Sequence, residues 1–495
     1  MADRLLKKVA SGYLWNLLTK WLNRTIGLIS TLCLVRLLDP EAFGVAALAS
    51  IVIAFFSMLS DAGTEKYLIK SKDCTDKMLD SAWSLNIVLK FGCGFVIAIL
   101  APSVAKLMNE PVLVDVLLAS SLLPLISSFK NIGLVQFERD LDFQPLAKLA
   151  ISVKMTVVPV TLLLALMLQS YWALVIGVIV SEVLTVLGSY RIHSYRPRWS
   201  TALWAEQWGF SKWHLLSVTS GYIRSRIETL MISRFLPSSS VGVYRVSEEF
   251  AWLPFTEIIA PATSSLYSGV TKIRDSRKEL NDSILKYLAM SYLLVVPSVF
   301  GIYTLSEDFT VVVLGERWIS AAPILGLLTI SMLTMPLNIG LQTVLTNLSK
   351  QLYLVAIDIV MICTIVGCLS WVAMNGTMDL EAFTSARIQL VAPFIVIFIA
   401  VYKCVLQVSV LRQFTLLIVP MLPAALMVNV LNVIADEFYF GRVINLMILV
   451  AAGSMTYIVS MVAVIVLTKK LIPEYGFVYS LIQNATIAMH NKIVR

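Results

Sequence analysis

Charged residues are scarce. Asp, Glu, Lys and Arg supply 14% of the 495 residues and apolar residues 58%, whereas soluble domains run at about 25% charged and 45–50% apolar. No polar stretch is long enough to bury a core of its own, which excludes a soluble domain. Apolar runs long enough to cross a hydrocarbon core of about 30 Å recur from end to end. The fold class that follows is an all-α, polytopic membrane protein.

Other shortages narrow the function. The three histidines (His193, His214, His490) and six cysteines (Cys33, Cys74, Cys93, Cys363, Cys368, Cys404) show no paired metal-ligand spacing. Cys363 and Cys368 fit neither a zinc ribbon nor a C-x-x-C redox pair, so no metal, disulfide or thiol chemistry is expected. No G-x-x-x-x-G-K-[ST] occurs, which argues against ATP hydrolysis. Loops on the outward side are too short to fold into an extracytoplasmic catalytic domain. An enzyme is therefore not expected, nor is a nucleic-acid partner or a resident cofactor.

Hydropathy places fourteen helices at 13–35, 42–60, 80–105, 112–136, 147–168, 171–193, 212–236, 240–265, 284–305, 321–347, 349–372, 382–402, 414–434 and 443–467. The charged start reads as a short amphipathic helix before a retained first span, since Lys20 and Arg24 interrupt the apolar segment and no small-x-small site closes it. Loops on the N-terminal side hold about 25 of the 39 basic residues, and the opposite loops about six: Arg36, Lys106, Arg234, Arg317, Arg387 and Arg442. That asymmetry puts both termini in the cytoplasm and requires an even number of spans.

An internal repeat is legible. Arg36-Leu37-Leu38 leading to Gly44-Val45 matches Arg234-Phe235-Leu236 leading to Gly242-Val243 at an offset of 198; Asn131-Ile132-Gly133-Leu134 matches Asn338-Ile339-Gly340-Leu341 at 207. Both are a shift of six helices, which preserves orientation and implies two parallel six-helix repeats about an axis along the membrane normal. The expected parts are an N-terminal lobe (1–193), a cytoplasmic amphipathic linker (194–211), a C-terminal lobe (212–404), two additional membrane helices (405–468) and a cytoplasmic tail (469–495).

Charges inside spans are costly, about 2.5–3.5 kcal/mol each at a helix centre on insertion scales, and so mark function or pairing. Eight basic residues lie there: Lys20, Arg24, Lys90, Lys130, Lys154, Arg224, Arg226 and Arg245. Asn16, Lys20, Asn23 and Arg24 share one face of the first span; Ser217, Ser220, Arg224 and Glu228 form a stripe on the seventh, its repeat partner. A cationic cavity for an anion is the reading, with Lys20, Arg24, Lys90, Arg224 and Arg226 as substrate-binding candidates. Phosphate or pyrophosphate suits them, because Arg supplies a bidentate fork and Lys a point charge. Against this, Arg224 with Glu228 and Arg245 with Glu249 are i,i+4 pairs that could neutralise each other, and Lys130 and Lys154 lie where long side chains snorkel to headgroups. Glu182, Glu228, Glu257 and Asp358 are candidates for proton or sodium coupling, with interhelical pairing the competing reading.

Several motifs then occur in order: Leu37-Leu38-Asp39-Pro40-Glu41-Ala42-Phe43-Gly44, Ser60-Asp61-Ala62-Gly63, Asn109-Glu110-Pro111, Glu138-Arg139-Asp140-Leu141-Asp142-Phe143, Tyr171-Trp172-Ala173-Leu174-Val175 and Leu314-Gly315-Glu316-Arg317-Trp318. Together they resemble the bacterial polysaccharide transporter family, particularly colanic-acid type exporters, within the multidrug/oligosaccharidyl-lipid/polysaccharide flippase superfamily. The resemblance covers about residues 1–350, and the last four helices by hydropathy alone. It implies a flippase for undecaprenyl-pyrophosphate-linked oligosaccharide repeat units in the inner membrane, with two six-helix lobes around a cavity open alternately to each side. The implied partners are a polyprenyl-pyrophosphate-linked glycan, the lipid bilayer and other polysaccharide assembly proteins. The rivals are an ion-coupled multidrug or cation antiporter of the same superfamily, a membrane polymerase or ligase, and a scaffolding protein. An acidic, aromatic-lined cavity would favour the first, and a large extracytoplasmic loop the second.

Overall fold

Proline governs where these helices bend or break, since it lacks an N–H and its ring clashes with the carbonyl four residues back. Pro102, Pro159 and Pro297 lie inside long helices, while Pro124, Pro336, Pro393 and Pro423 fall within the first three residues of a helix that follows an interruption. The computed structural model describes residues 2–60, 64, 68, 74–140, 142–205, 222, 223, 225–259, 276–348, 350–375, 379–437 and 441–493. No strand occurs among them.

The helices are α1 (Ala2–Leu37), α2 (Pro40–Ser60), α3 (Asp76–Leu107), α4 (Leu113–Ser120), α5 (Leu122–Ser128), α6 (Leu134–Arg139), α7 (Gln144–Leu168), α8 (Trp172–Ile192), α9 (225–235) and α10 (Ser238–Ala251). They continue with α11 (Arg277–Thr304), α12 (Ala321–Ile330), α13 (Met335–Asn347), α14 (Gln351–Asn375), α15 (Leu380–Gln389), α16 (Val391–Leu406), α17 (Val410–Ile418), α18 (Met421–Glu437), α19 (Arg442–Thr468) and α20 (Pro473–Ile493). Ten spans among the described residues are long and apolar enough to cross a bilayer. They correspond to the second, third, fifth, sixth and ninth to fourteenth of the expected helices. The first carries its charges, the fourth is broken into α4, α5 and α6, and the seventh and eighth adjoin residues outside the described set. The expected interfacial helix and first span run together as the single helix α1. The expected C-terminal tail contains a helix, α20, clamped by an Arg412–Glu474 ion pair at 3.5 Å and by Lys286 over the Phe477 ring at 4.8 Å.

The chain forms two compact units, Met1–Arg245 and Val246–Arg495. In the first, Leu34, Leu38, Ala42, Ala165 and Ala173 bury together where α1, α2, α7 and α8 meet. The described residues between 222 and 245, which the repeat assigns to the second lobe, fall in this first unit. There a Cβ on Gly44 would lie 1.7 Å from the Ser238 carbonyl oxygen, and one on Gly242 would lie 1.8 Å from that of Pro40. Ser238 and Gly242 stand 198 residues beyond Pro40 and Gly44. Each repeat's glycine thus presses on the first turn of the other's helix, an isologous contact of two-fold type. Only glycine allows backbones this close, as at small-residue crossings in membranes.

The second repeat offset is also visible as packing. Gly133 is seated against His193 and Tyr195, where an added Cβ would come within 2.5 Å of His193 Nδ1 and 2.9 Å of Tyr195 Cβ. Gly340 is seated against Tyr402 and Tyr287, with 2.7 Å to the Tyr402 hydroxyl and 2.9 Å to the Tyr287 ring. Tyr402 and Tyr287 stand 207 residues beyond Tyr195 and Asp80, and the Tyr195 hydroxyl donates to Asp80 Oδ1 at 2.5 Å. The same three positions therefore meet in both repeats.

In the first unit these contacts hold residues 193–200 as an extended strap. Asn131 Nδ2 donates to the Tyr195 carbonyl at 2.8 Å, the Arg198 N–H to Asp80 at 2.6 Å and the Ser200 N–H to the Ser84 hydroxyl at 2.8 Å. Burial and the Asp80 carboxylate push the Tyr195 phenol well above its ordinary range, so it remains the donor. Burial and the Arg196 charge hold His193 below the usual imidazole value.

Candidate functional site

The intramembrane charges fall into three groups in the first unit. On α1, Lys20 is exposed and Arg24 half-buried, and Arg24 is not without a partner. Gly27, one turn on, is approached by Lys154 of α7, whose Nζ would lie 3.5 Å from a Cβ there. Lys154 therefore extends the α1 stripe across the α1–α7 contact.

The second group joins residues that helical spacing kept apart. Lys90, near the middle of α3, donates to the Ser127 carbonyl at the end of α5 at 3.4 Å. The basic groups that act on Glu182 of α8 are Lys90 and then Lys130, just beyond α5. All three side chains are half-buried. Glu182 has no basic residue one turn away on α8.

The third group surrounds Tyr222. Its hydroxyl donates to the Ile51 carbonyl at 2.6 Å, its ring lies 6.0 Å from that of Phe55, and the Arg226 guanidinium sits 5.9 Å over it. Arg245 also acts on Tyr222. Arg226 Nε is buried and has no hydrogen-bond partner among the described residues. Glu228 accepts from the Tyr244 hydroxyl at 2.6 Å, so this coupling candidate is tied to α10. Arg224, Ser217 and Ser220 lie outside the described residues.

The second unit differs in character. Glu257 lies in a π-helical turn, Phe255–Ile259, just after Pro254; such turns often mark functional positions. Its carboxylate receives the Thr256 hydroxyl at 3.2 Å. Asp358 is half-buried on α14 and is not without a partner. Arg387, counted among the outward loops from sequence, lies inside α15 with its guanidinium 5.7 Å over the Phe394 ring. Sequence signals missed an apolar cavity of about 440 Å³ bordered by Pro297, Gly301, Met427, Leu431, Leu449 and Gly453. It lies among α11, α18 and α19, two of which fall outside the repeat. Gly453 facing Leu431, with 3.1 Å to an added Cβ, keeps α18 and α19 close beside it.

Comparison with known proteins fits this architecture. Among solved structures, the chain superposes on a lipid II flippase MurJ in an inward closed conformation with a TM-score of 0.73 at 13% identity, over 93% of this chain and 100% of that one. An inward-facing multidrug resistance MATE family transporter of the MOP superfamily follows at a TM-score of 0.54 and 13% identity, over 82% of this chain and 95% of that one. These likenesses give the fold. By sequence, the chain is 24% identical to the lipopolysaccharide biosynthesis protein WzxC of Escherichia coli (strain K12), over 66% of this chain and 67% of the relative. It is also 24% identical to the succinoglycan biosynthesis transport protein ExoT of Rhizobium meliloti (strain 1021), over 66% of each. The match thus spans about two thirds of these curated relatives, and neither name is that of an enzyme. The family model described as "Polysaccharide biosynthesis protein" matches residues 33–323, more than half of the chain, and the chain belongs to that family.

Proposed function

We propose that the protein is a flippase that carries a polyprenyl-pyrophosphate-linked oligosaccharide repeat unit across the bacterial inner (cytoplasmic) membrane, with both termini in the cytoplasm. The observation that carries this reading is the basic surplus inside the first unit. Lys20, Arg24, Lys90, Lys130, Lys154, Arg226 and Arg245 lie within the expected spans of the first unit, where the described acids are Glu182 and Glu228, and Glu249 stands one turn beyond Arg245. Charge inside a bilayer is costly, so a surplus of one sign there points to a cargo of the other. A cationic drug would demand the opposite sign.

In this reading Arg24, Arg226 and the sequence-assigned Arg224 hold phosphate oxygens, with Lys20 and Lys90 adding charge. Burying the pyrophosphate without such partners would be prohibitive. The apolar cavity of the second unit suits a stretch of polyprenyl tail, which needs only apolar contact. The names of the relatives, which speak of lipopolysaccharide and succinoglycan biosynthesis, support a glycan cargo. The fold shared with a lipid II flippase supports alternating access. Surface polysaccharide export is then the cellular role, beside other assembly proteins, with Glu182, Glu228, Glu257 and Asp358 as candidates for proton or sodium coupling.

Deleting the gene in a polymer-producing cell should strand lipid-linked repeat units with their sugars on the cytoplasmic leaflet, and restoring it should clear them. Normal polymer and an unchanged lipid-linked pool in the deletion strain would overturn the reading.

A further inference from the structure

Arg226 Nε is a donor taken out of water without a hydrogen-bond partner among the described residues. A buried donor left unmade costs free energy, and more so on a charged group. The Nε–H and the Nη–H beside it form one edge of the guanidinium, and such an edge takes two oxygens of a phosphate at once. Tyr222 is in helical backbone four residues before Arg226, the spacing that puts two side chains on one face. The guanidinium sits 5.9 Å over its ring, a contact that attracts the cation through the ring quadrupole and leaves Nε unused. The ring is itself fixed. Its hydroxyl donates to the Ile51 carbonyl of α2 at 2.6 Å, and Phe55, one turn further along α2, lies 6.0 Å from it. Tyr222, Arg226 and Phe55 are all half-buried, so a ligand can still reach them. Tyr222 also stands 198 residues beyond Arg24, the offset that pairs Gly44 with Gly242. Where the first repeat carries a guanidinium, the second carries a ring that holds one.

We propose that Tyr222 is a positioning residue: tethered to α2, its ring sets the Arg226 guanidinium so that the unpartnered Nε–H meets a phosphate-class anion. This deepens the flippase reading and rests on it. The anion supplies the acceptor that the buried donor lacks, and the ring has already ordered the long side chain that must grip it. Without the ring, Arg226 regains its other rotamers, and binding has to order it again. Tyr222 touches the anion only through Arg226.

The test uses the full chain, purified in lipid nanodiscs, with inorganic pyrophosphate as probe and Kd read by calorimetry. Arg226→Met should bind more weakly than wild type, and Tyr222→Leu about three- to thirtyfold more weakly. Tyr222→Phe, which keeps the ring and loses the tether, should recover part of that loss. In the Arg226→Met background, Tyr222→Leu should cost nothing further, because the ring acts through the guanidinium. A ring that merely packed against α2 would weaken both backgrounds alike. Equal losses in the two backgrounds, equal weakness of Tyr222→Leu and Tyr222→Phe, unchanged binding by Arg226→Met, or no pyrophosphate binding by wild type would overturn the proposal. The flippase reading fails separately, in the leaflet distribution of the deletion strain.

Discussion

Valine in place of Gly44, or in place of Gly242, should abolish polymer export while the protein still accumulates in the membrane. The reason is the two-fold contact between the first turns of α2 and α10. A Cβ at either site would fall within 1.8 Å of a backbone carbonyl oxygen of the other helix, and a carbonyl cannot rotate out of the way as a side chain can. The two helix starts must part. Overpacking of this kind costs about 1–3 kcal/mol, so a state with the helices in contact loses about ten- to a hundredfold in population against one with them apart. If the transport cycle needs both states, export stops. The same change should speed labelling of a cysteine placed at the buried Val241 by at least about tenfold, measured with a membrane-impermeant maleimide in a background lacking the native cysteines. Normal export from both valine variants would mean that the contact stays closed, or is dispensable, throughout the cycle.

Arg24→Ala is expected to cut export by at least about tenfold, and up to about a hundredfold, with protein level unchanged, because a hydrogen bond to a charged group is worth about 1.5–3 kcal/mol. Surface polymer per unit of membrane protein is the measurement. Arg24 is half-buried on α1, close to the point where Lys154 reaches Gly27. Removing it takes away the one guanidinium of that group and leaves ammonium charges that cannot grip two phosphate oxygens at once. Arg24→Lys should therefore recover only part of the loss. Full export by Arg24→Ala would move the anion site away from α1, toward Lys90 or Arg226.

Much of this was legible before any coordinates. The all-α membrane fold, ten of the fourteen expected spans and the family follow from hydropathy and from an ordered set of motifs. Both offsets reappear as physical contacts, at Gly44 with Gly242 and at Gly133 and Gly340 against their tyrosines. What sequence could not give is what lies between helices. Spacing of three or four residues reports neighbours on one helix, so it could not place Lys90 of α3 at the Ser127 carbonyl of α5. Arg387 was counted with the outward loops although it falls within the expected span 382–402, and α15 starts seven residues before it. Leu, Met and Gly along α11, α18 and α19 read as ordinary span residues, since an apolar lining has the same composition as a lipid-facing surface. The fusion of the interfacial helix with the first span was missed because no proline or glycine pair marks a break there or excludes one.

The central claim is transbilayer movement of a lipid-linked glycan, and reconstitution measures it directly. Purified protein in liposomes should move a polyprenyl-pyrophosphate oligosaccharide from one leaflet to the other, read by the fraction of sugar reachable by an external glycosidase. Movement should be faster than in protein-free liposomes and largely lost with Arg24→Ala. Equal rates with and without the protein, tested with and without proton and sodium gradients, would contradict the account.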